Sequence, residues 1–294
     1  MRSTLIAVLA GLALASPAPA AVTAATAPTQ VARVGGLAVG YRAFGHGRPL
    51  VLVMGLSGTM DAWPPSFLDA LARGGHRVVL LDNQGVGRSQ AQPGRLSIRH
   101  MADTTAGLIR RLGLRRPDVA GWSMGGMIVQ SLLVRHPGIA RRAALLATAP
   151  GDGAVTPPDP VALASLADPA NPAPLLGLLF GPAAPPSAAT DFATDLARRR
   201  GLAPTATEAV RARQVAASAA WLGGRDRDGA RVARLRLPVL VAGGKDDRIL
   251  PIGNDLHLAR AIRRAVYVDY PGAAHGFFIQ EAADFVPRLL RFLR

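Results

Sequence analysis

Hydrophobic and polar positions follow two alternating patterns along the chain. Short, continuous apolar runs are typical of strands buried on both faces of a parallel sheet, whereas apolar residues three and four positions apart are typical of helices. Buried strands are predicted at residues 49–54, 77–81, 119–121, 143–147, 238–242 and 265–268. Helices are predicted at residues 65–73, 97–112, 124–136, 255–262 and 282–293. A weaker alternation over residues 37–44 predicts an edge strand.

This alternation of strands and helices is interrupted once. Strands that alternate with helices indicate an α/β fold with a doubly wound, mostly parallel sheet. Residues 151–233 contain many prolines and no predicted buried strand, and helices are predicted there at residues 191–200 and 205–222. Because a structureless loop of that length is uncommon in a compact domain, we predict a helical cap inserted between two parts of a core. These parts are residues 37–150 and 234–294.

The first 36 residues differ in composition from the rest of the chain. Arg2 precedes an apolar run over residues 5–15, and the segment continues to Ala18-Pro-Ala20. A positive start, a short apolar run and a small-residue ending are typical of a cleavable secretory signal. The run is shorter than the roughly 20 apolar residues of a membrane span. We therefore expect residues 1–20 to be a signal peptide, residues 21–36 to be a low-complexity leader, and the protein to be secreted or periplasmic without a stable membrane span.

Composition narrows the range of partners. The 294-residue chain carries 34 Lys and Arg against 19 Asp and Glu, a formal net charge of +15, and Lys245 is its single lysine. The arginines are scattered singly or in short groups, and no basic stripe is interleaved with aromatic residues, so a nucleic-acid partner is not expected. The absence of cysteine excludes disulfides and a lipoprotein anchor. With 49% hydrophobic residues, the chain is long enough for one large core with an insertion.

One stretch carries a candidate nucleophile. A predicted buried strand leads into Gly121-Trp-Ser-Met-Gly125, and a helix is predicted from Met124 onward. Gly-x-Ser-x-Gly between a strand and a helix is the nucleophile elbow of serine hydrolases, where a strained turn requires small neighbours two positions either side of the serine. Such a five-residue pattern also arises by chance in a glycine-rich chain. Ser123 therefore needs support from elsewhere in the sequence.

That support comes from an acid and a histidine after later strands. A serine hydroxyl needs a histidine to accept its proton, and the histidine needs a carboxylate to orient it. Asp247 follows a predicted buried strand in a glycine-rich loop, and His275 follows the last predicted strand. The chain order serine, aspartate, histidine is that of hydrolases with this elbow. Asp246 and Asp152 also follow predicted strands and remain alternative acids.

With these motifs, the chain from about residue 37 onward resembles enzymes of the α/β-hydrolase fold. The matching segments are Met54-Gly55, Asp82-Asn-Gln-Gly-Val-Gly-Arg-Ser89, Gly121-Trp-Ser-Met-Gly-Gly126, Gly244-Lys-Asp-Asp-Arg-Ile-Leu-Pro251 and Gly272-Ala-Ala-His-Gly-Phe277. The resemblance implies Ser123 as nucleophile, His275 as base and Asp247 as acid. Asp247 is preferred because the acid of such enzymes typically lies three residues after the loop glycine and four before the proline.

The resemblance also implies an oxyanion hole made by the backbone N–H groups of Leu56 and Met124. Two positions depart from the common pattern. Met54 stands where such enzymes often have histidine, and Gln84 stands where they often have arginine. We interpret residues 82–89 as a structural turn.

The expected function is that of a cofactor-independent serine hydrolase that cleaves a small-molecule carboxylic ester or lactone through an acyl-enzyme. No group of His, Asp and Glu has the spacing of a metal site, so no metal is expected. In the cap, residues 175–180 and the pair Trp221-Leu222 either line an apolar pocket or pack the cap against the core. The physiological substrate and the oligomeric state are not encoded in any motif.

Other functions remain open. Cofactor-free haloperoxidase or perhydrolase activity and aminopeptidase activity use the same triad, although residues 55–58 lack the Gly-Gly-Pro-Gly loop usual in prolyl aminopeptidases. Epoxide hydrolases and haloalkane dehalogenases need aspartate at the elbow, where this chain has Ser123. A non-catalytic ligand-binding relative is the alternative from a different class.

Overall fold

A single eight-stranded sheet forms the centre of the computed structural model, which describes residues 22–167, 177–199 and 201–294. The strands are β1 (Gln30–Val34), β2 (Leu37–Phe44), β3 (Arg48–Val53), β4 (His76–Leu81), β5 (Asp118–Trp122), β6 (Ala143–Leu146), β7 (Val239–Gly244) and β8 (Ala265–Tyr270). Their order is β1-β2-β4-β3-β5-β6-β7-β8; β2 is antiparallel to β1 and β4, and the other pairs are parallel. The predicted mostly parallel α/β sheet is confirmed.

Helices cover both faces of the sheet. They are α1 (Pro65–Arg73), α2 (Ile98–Arg111), α3 (Met124–Arg135), α4 (Pro160–Ala167), α5 (Ala188–Ala197), α6 (Glu208–Leu222), α7 (Gly253–Ala261), α8 (Phe277–Gln280) and α9 (Ala282–Leu293). Alternate residues of β3 enter different cores, as the two-residue period of a strand requires. Val51 and Val53 pack with α2, α3 and α7, whereas Leu50 and Leu52 pack with α1, α8 and α9.

The predicted ends of the core helices agree with local hydrogen bonding. Ser97 caps α2, since its hydroxyl oxygen accepts a hydrogen bond from the His100 N–H at 3.2 Å. Helix α3 begins at Met124, directly after Ser123. The strands that flank these helices, β3, β5 and β6, are buried almost throughout, which is why their sequences are continuous apolar runs.

The N-terminal part of the sheet differs from the prediction. Residues 30–34, expected within a leader, form β1 and pair with β2, so the prediction of β2 as an edge strand is wrong. Only Ala32 of β1 is buried, and one buried residue in five gives no recognisable alternation. Ala24 and Ala27 are also buried against the core. The expected signal peptide lies outside the described residues.

Between β6 and β7, the described residues form helices and no strand. Predicted helices at residues 191–200 and 205–222 correspond to α5 and α6, and α4 was not predicted. Helix α6 begins at Glu208 because the Thr207 side chain accepts a hydrogen bond from the Val210 N–H at 3.3 Å. Residues 168–176, which include part of the predicted apolar segment 175–180, lie outside the described residues. We call residues 151–233 the cap.

A buried ionic cluster joins the cap, the sheet and the N-terminal segment. Asp61 accepts hydrogen bonds from Arg42 of β2 and from Nε of Arg199, the latter at 3.0 Å. The Ala203 N–H donates to the second Asp61 oxygen at 2.7 Å. Nη1 of Arg199 also donates to the backbone carbonyls of Ala24, Ala25 and Ala27. Arg42 and Asp61 are almost fully buried, so removal of either side chain would leave a buried charge without its ion-pair partner.

Candidate active site

The turn between β5 and α3 holds Ser123 in an unusual backbone conformation, with φ 57° and ψ −125°. Such a conformation costs about 1–3 kcal/mol and persists only where the surroundings impose it. A Cβ atom at Gly121 would lie 2.2 Å from the Gly125 carbonyl oxygen, and one at Gly125 would lie 2.1 Å from that of Val53. Only glycine therefore fits at both positions.

Hydrogen bonds also fix the backbone of Ser123. Its N–H donates to the Leu146 carbonyl at 2.9 Å, which ties the turn to β6. Its carbonyl oxygen accepts from the Gly126 N–H at 2.9 Å and from the Thr148 hydroxyl at 2.7 Å. The serine side chain is thus carried by a rigid turn at the carboxyl end of a central strand.

His275 and Asp247 form a buried pair. Nδ1 of His275 lies 2.7 Å from Oδ2 of Asp247, and their side chains are 5% and 0% exposed. The other carboxylate oxygen accepts from the backbone N–H groups of Ile249 and Leu250 at 2.8 and 2.9 Å. Both oxygens of Asp247 therefore take part in hydrogen bonds. The bond to Nδ1 fixes the orientation of the imidazole, and Nε2 is the ring nitrogen that remains for another partner.

Trp122, the residue before the serine, positions the histidine loop. Its indole N–H donates to the His275 carbonyl at 3.0 Å, and the two rings lie with centroids 5.4 Å apart. The cap also contributes, since the Gly276 N–H donates to the Leu179 carbonyl at 2.7 Å. The histidine is held by both the elbow and the cap.

Ser123 and His275 line the same cavity, which measures about 280 Å³ and is also lined by Leu56. A Cβ atom at Gly55 would lie only 3.1 Å from the Cβ atom of Ser123, so the loop before Leu56 passes directly over the serine. Met124 occupies the first position of α3, where a backbone N–H has no acceptor within the helix. The structure thus brings Ser123, His275, Asp247, Leu56 and Met124 into one region.

Comparison with known proteins identifies the family of the chain. A sequence profile for the alpha/beta hydrolase fold matches residues 48–282. The chain belongs to the α/β-hydrolase fold family. The match covers every core element from β3 to α8, together with the cap.

Individual relatives of this α/β hydrolase differ in chemistry. A candidate non-heme bromoperoxidase of Mycobacterium tuberculosis is 36% identical over 104 residues, which is 35% of this chain and 39% of the relative. An alpha/beta hydrolase fold protein from Chitinophaga pinensis has a TM-score of 0.79 at 28% identity, covering 92% of this chain and 98% of that protein. An enol-lactonase from Burkholderia xenovorans LB400 has a TM-score of 0.69 at 25% identity, covering 90% and 99%.

The two alternative acids have other partners. The Asp246 carboxylate accepts from the Gly272 N–H at 2.8 Å, within the loop that leads to His275. Oδ2 of Asp152 lies 2.7 Å from Nε2 of His257 in a half-exposed pair. The structure therefore places Asp247, rather than Asp246 or Asp152, against the imidazole of His275.

Two polar side chains that sequence reasoning missed hold the loop over Ser123. Gln214 of cap helix α6 is fully buried, and its side-chain oxygen accepts from the Ser57 N–H at 2.7 Å. The side-chain amide of Asn83 donates to the Met54 carbonyl at 2.7 Å. The contact between Gln214 and Ser57 spans 157 residues, so no local sequence signal could have revealed it.

The turn at residues 82–89, interpreted as structural, supports the same loop. Asp82 accepts from the Met60 N–H at 2.8 Å and from the Arg88 N–H at 3.0 Å. Burial raises the pKa of the Asp82 carboxyl above its usual range. Gln84, the departure from the common pattern, is buried and donates to the Thr104 hydroxyl at 2.6 Å. The glutamine therefore ties the turn to α2.

A further buried acid lies behind the site. Asp255 of α7 is fully buried, and one of its oxygens accepts from the Thr148 N–H at 3.2 Å. Its second oxygen has no hydrogen-bond partner among the described residues. Burial raises the pKa of Asp255 well above its usual range, and the nearby negative charge of Asp247 raises it further. Its position in the first turn of a predicted helix gave no sign of this burial.

Proposed function

We propose that this α/β hydrolase is a serine hydrolase that cleaves a small-molecule carboxylic ester or lactone. The observation that carries the proposal is the buried hydrogen bond between His275 Nδ1 and Asp247, with His275 lining the cavity that contains Ser123. With Nδ1 engaged, Nε2 is the nitrogen that exchanges a proton with the serine. An imidazole oriented in this way is what converts a serine hydroxyl into a nucleophile.

The reaction proceeds through two acyl transfers. The Ser123 oxygen attacks the substrate carbonyl while His275 accepts its proton, and the backbone N–H groups of Leu56 and Met124 stabilise the resulting oxyanion. The C–O bond to the leaving group then breaks as His275 returns the proton to the leaving oxygen. Water, deprotonated by His275, attacks the acyl-enzyme and releases the carboxylic acid. These steps use no cofactor.

Labelling with di-isopropyl fluorophosphate tests the nucleophile. The full-length chain and the Ser123→Ala variant are treated, digested and mapped by mass spectrometry. We expect one di-isopropylphosphoryl adduct on the peptide that contains Ser123, and a loss of at least about 10³-fold in p-nitrophenyl ester hydrolysis in the variant. An adduct on another residue, or equal rates for the two proteins, would refute the assignment.

Perhydrolase activity is a second candidate, supported by the similarity to a candidate non-heme bromoperoxidase. Hydrogen peroxide would replace water as the attacking group on the acyl-enzyme, giving a peracid and free Ser123. Incubation with acetate, hydrogen peroxide and bromide measures this, because the peracid oxidises bromide to hypobromous acid, which brominates monochlorodimedone. Bromination that depends on Ser123 supports the activity, and its absence in an active esterase excludes it.

We also propose that the protein is exported after cleavage near residue 20. The signal-like pattern of residues 1–20 supports this, and cleavage there would leave intact the carbonyl groups of residues 24–27 that bind Arg199. N-terminal mass spectrometry of the protein expressed in a bacterial host with an outer membrane tests it. A mature chain starting near residue 21 in the periplasm supports export, and an intact N-terminus in the cytoplasm contradicts it.

A further inference from the structure

Two cavities meet at Ser123. The smaller, of about 280 Å³, contains His275 and is bordered by Phe192 and Leu196 of cap helix α5. The larger, of about 440 Å³, contains Met124 and is bordered by α6. We call them the smaller lobe and the larger lobe. Both are lined mainly by apolar side chains, and Ser123 is common to the two.

Helix α6 presents an apolar stripe to the larger lobe. Ala212, Val215, Ala216 and Ala219 have the spacing of one helical face, and all four line this lobe. They are exposed, Val215 to 41%, whereas the side of α6 that packs on the core is buried. An apolar stripe left uncovered is unfavourable in water. The stripe therefore indicates an apolar partner in the larger lobe.

The position of His275 indicates which part of a bound ester occupies each lobe. A general acid must come within about 2.6–3.2 Å of the atom it protonates, so the leaving-group oxygen of a bound ester lies on the His275 side of Ser123. His275 lines only the smaller lobe. Of the two proposed oxyanion donors, Met124 lines only the larger lobe and Leu56 lines both. The leaving group thus extends into the smaller lobe and the acyl group into the larger.

We propose that the preferred substrates are open-chain esters with a medium-length apolar acyl chain lying against α6 and a smaller alcohol portion beside His275. This rests on the roles proposed for Ser123 and His275. In a lactone, the acyl carbon and the leaving oxygen belong to one ring, which occupies the junction and leaves the α6 stripe uncovered. The two lobes therefore favour an open-chain ester over a small lactone.

Two substrate series test the proposal. Acyl length is varied from acetate to decanoate in p-nitrophenyl esters, and alcohol length is varied from methyl to hexyl in octanoate esters. We expect kcat/KM to rise roughly threefold for each added acyl methylene up to about eight carbons, as expected for progressive apolar burial. We expect hexyl octanoate to react at least about tenfold more slowly than methyl octanoate. A preference for acetate, or for a small lactone over octanoate esters, would overturn the proposal.

Matched substitutions on α6 test whether the preference for long acyl chains depends on the larger lobe. Ala219→Phe fills the larger lobe, whereas Ala209→Phe adds the same bulk at an exposed position of α6 that lines neither lobe. Ala219→Phe should lower kcat/KM for octanoate at least about tenfold more than it lowers kcat/KM for acetate. Ala209→Phe should keep the wild-type profile. Circular dichroism verifies that both variants are folded.

A substitution in the other lobe gives an independent check. Leu196→Ala enlarges the smaller lobe. It should raise the rate for hexyl relative to methyl octanoate by about tenfold and leave the order of acyl preference unchanged. An unchanged alcohol preference would contradict the assignment of this lobe to the leaving group.

Failure of the catalytic assignment of Ser123 and failure of the assignment of the lobes give different results. Hydrolysis retained by Ser123→Ala would overturn the catalytic assignment itself. Hydrolysis lost in Ser123→Ala but an unchanged acyl profile in Ala219→Phe would overturn only the assignment of the lobes. A dimer in sedimentation that Ala219→Phe dissociates without altering the acyl profile would instead assign the stripe to a second copy of this chain.

Discussion

At the scale of single residues, the site depends on side chains that differ by one position. Asp246 and Asp247 are adjacent in sequence, yet one accepts from the Gly272 N–H and the other binds His275. The strained backbone of Ser123 likewise depends on the absence of side chains at Gly121 and Gly125. Sequence spacing indicated which residues were candidates, and the contacts of the loop distinguish between them.

Asp255 should make stability depend on pH. Its pKa is raised in the folded protein by burial, so the folded chain binds more protons than the unfolded chain above about pH 4. Stability from this group is therefore lost as the pH rises from about 4 through the folded pKa, by at most about 1.4 kcal/mol per pH unit.

The Asp255→Asn variant removes this titration while keeping an oxygen for the Thr148 N–H. The free energy of unfolding of the variant minus that of the wild type should therefore be larger at pH 8 than at pH 4.5. Urea unfolding of both proteins at the two pH values measures the change. A difference between the proteins that is the same at both pH values would show that Asp255 does not titrate in this way.

At the scale of elements, the sequence predicted the parallel strands and most helices, because buried strands and amphipathic helices have clear patterns. β1 was missed because only Ala32 of its five residues is buried. α4 was missed as well, in a region dominated by prolines and alanines. The way α6 holds the loop over Ser123 could not be predicted, since the contact joins distant parts of the chain.

Gln214 of α6 should act on catalysis through this loop. Gln214→Met removes the acceptor for the Ser57 N–H, next to the Leu56 N–H proposed to bind the oxyanion. We expect kcat for p-nitrophenyl octanoate to fall about 10–100-fold with a smaller change in KM. The reason is that a displaced Leu56 N–H would weaken oxyanion stabilisation in the transition state more than substrate binding.

Gln90→Met is the matched control. Gln90 also accepts from a backbone N–H, that of Ala38 at 2.8 Å, but at an exposed position directly after the turn at residues 82–89. Steady-state kinetics of both variants give the comparison. Equal kcat values for Gln214→Met and the wild type would refute a positioning role for Gln214.

At the scale of the whole molecule, one buried ionic cluster links three regions that are far apart in sequence. Asp61 accepts from Arg42 of the sheet and from Arg199 of the cap, and Arg199 in turn binds the carbonyls of residues 24–27. The cluster explains why residues expected to form a leader pack against the core. Scattered arginines gave no sequence signal for it.

Asp61→Asn should be strongly destabilising. It leaves the guanidinium groups of Arg42 and Arg199 buried without their carboxylate, a change that typically costs about 3–5 kcal/mol. Asp284→Asn, which removes a half-exposed ion pair with Arg288 and keeps an oxygen for the Tyr270 hydroxyl, should be much less destabilising, because exposed ion pairs contribute little. Urea unfolding measures both, and a loss for Asp61→Asn as small as that of the control would contradict the role of the cluster.

Trapping of the acyl-enzyme during turnover shows directly whether Ser123 carries the acyl group. The enzyme is mixed with p-nitrophenyl octanoate, quenched in acid within the first turnovers and analysed by intact-mass and peptide mass spectrometry. We predict one octanoyl group per chain, located on the peptide containing Ser123 and absent from the Ser123→Ala variant. An octanoyl group on another residue, or full activity in the Ser123→Ala variant, would exclude Ser123 as the nucleophile.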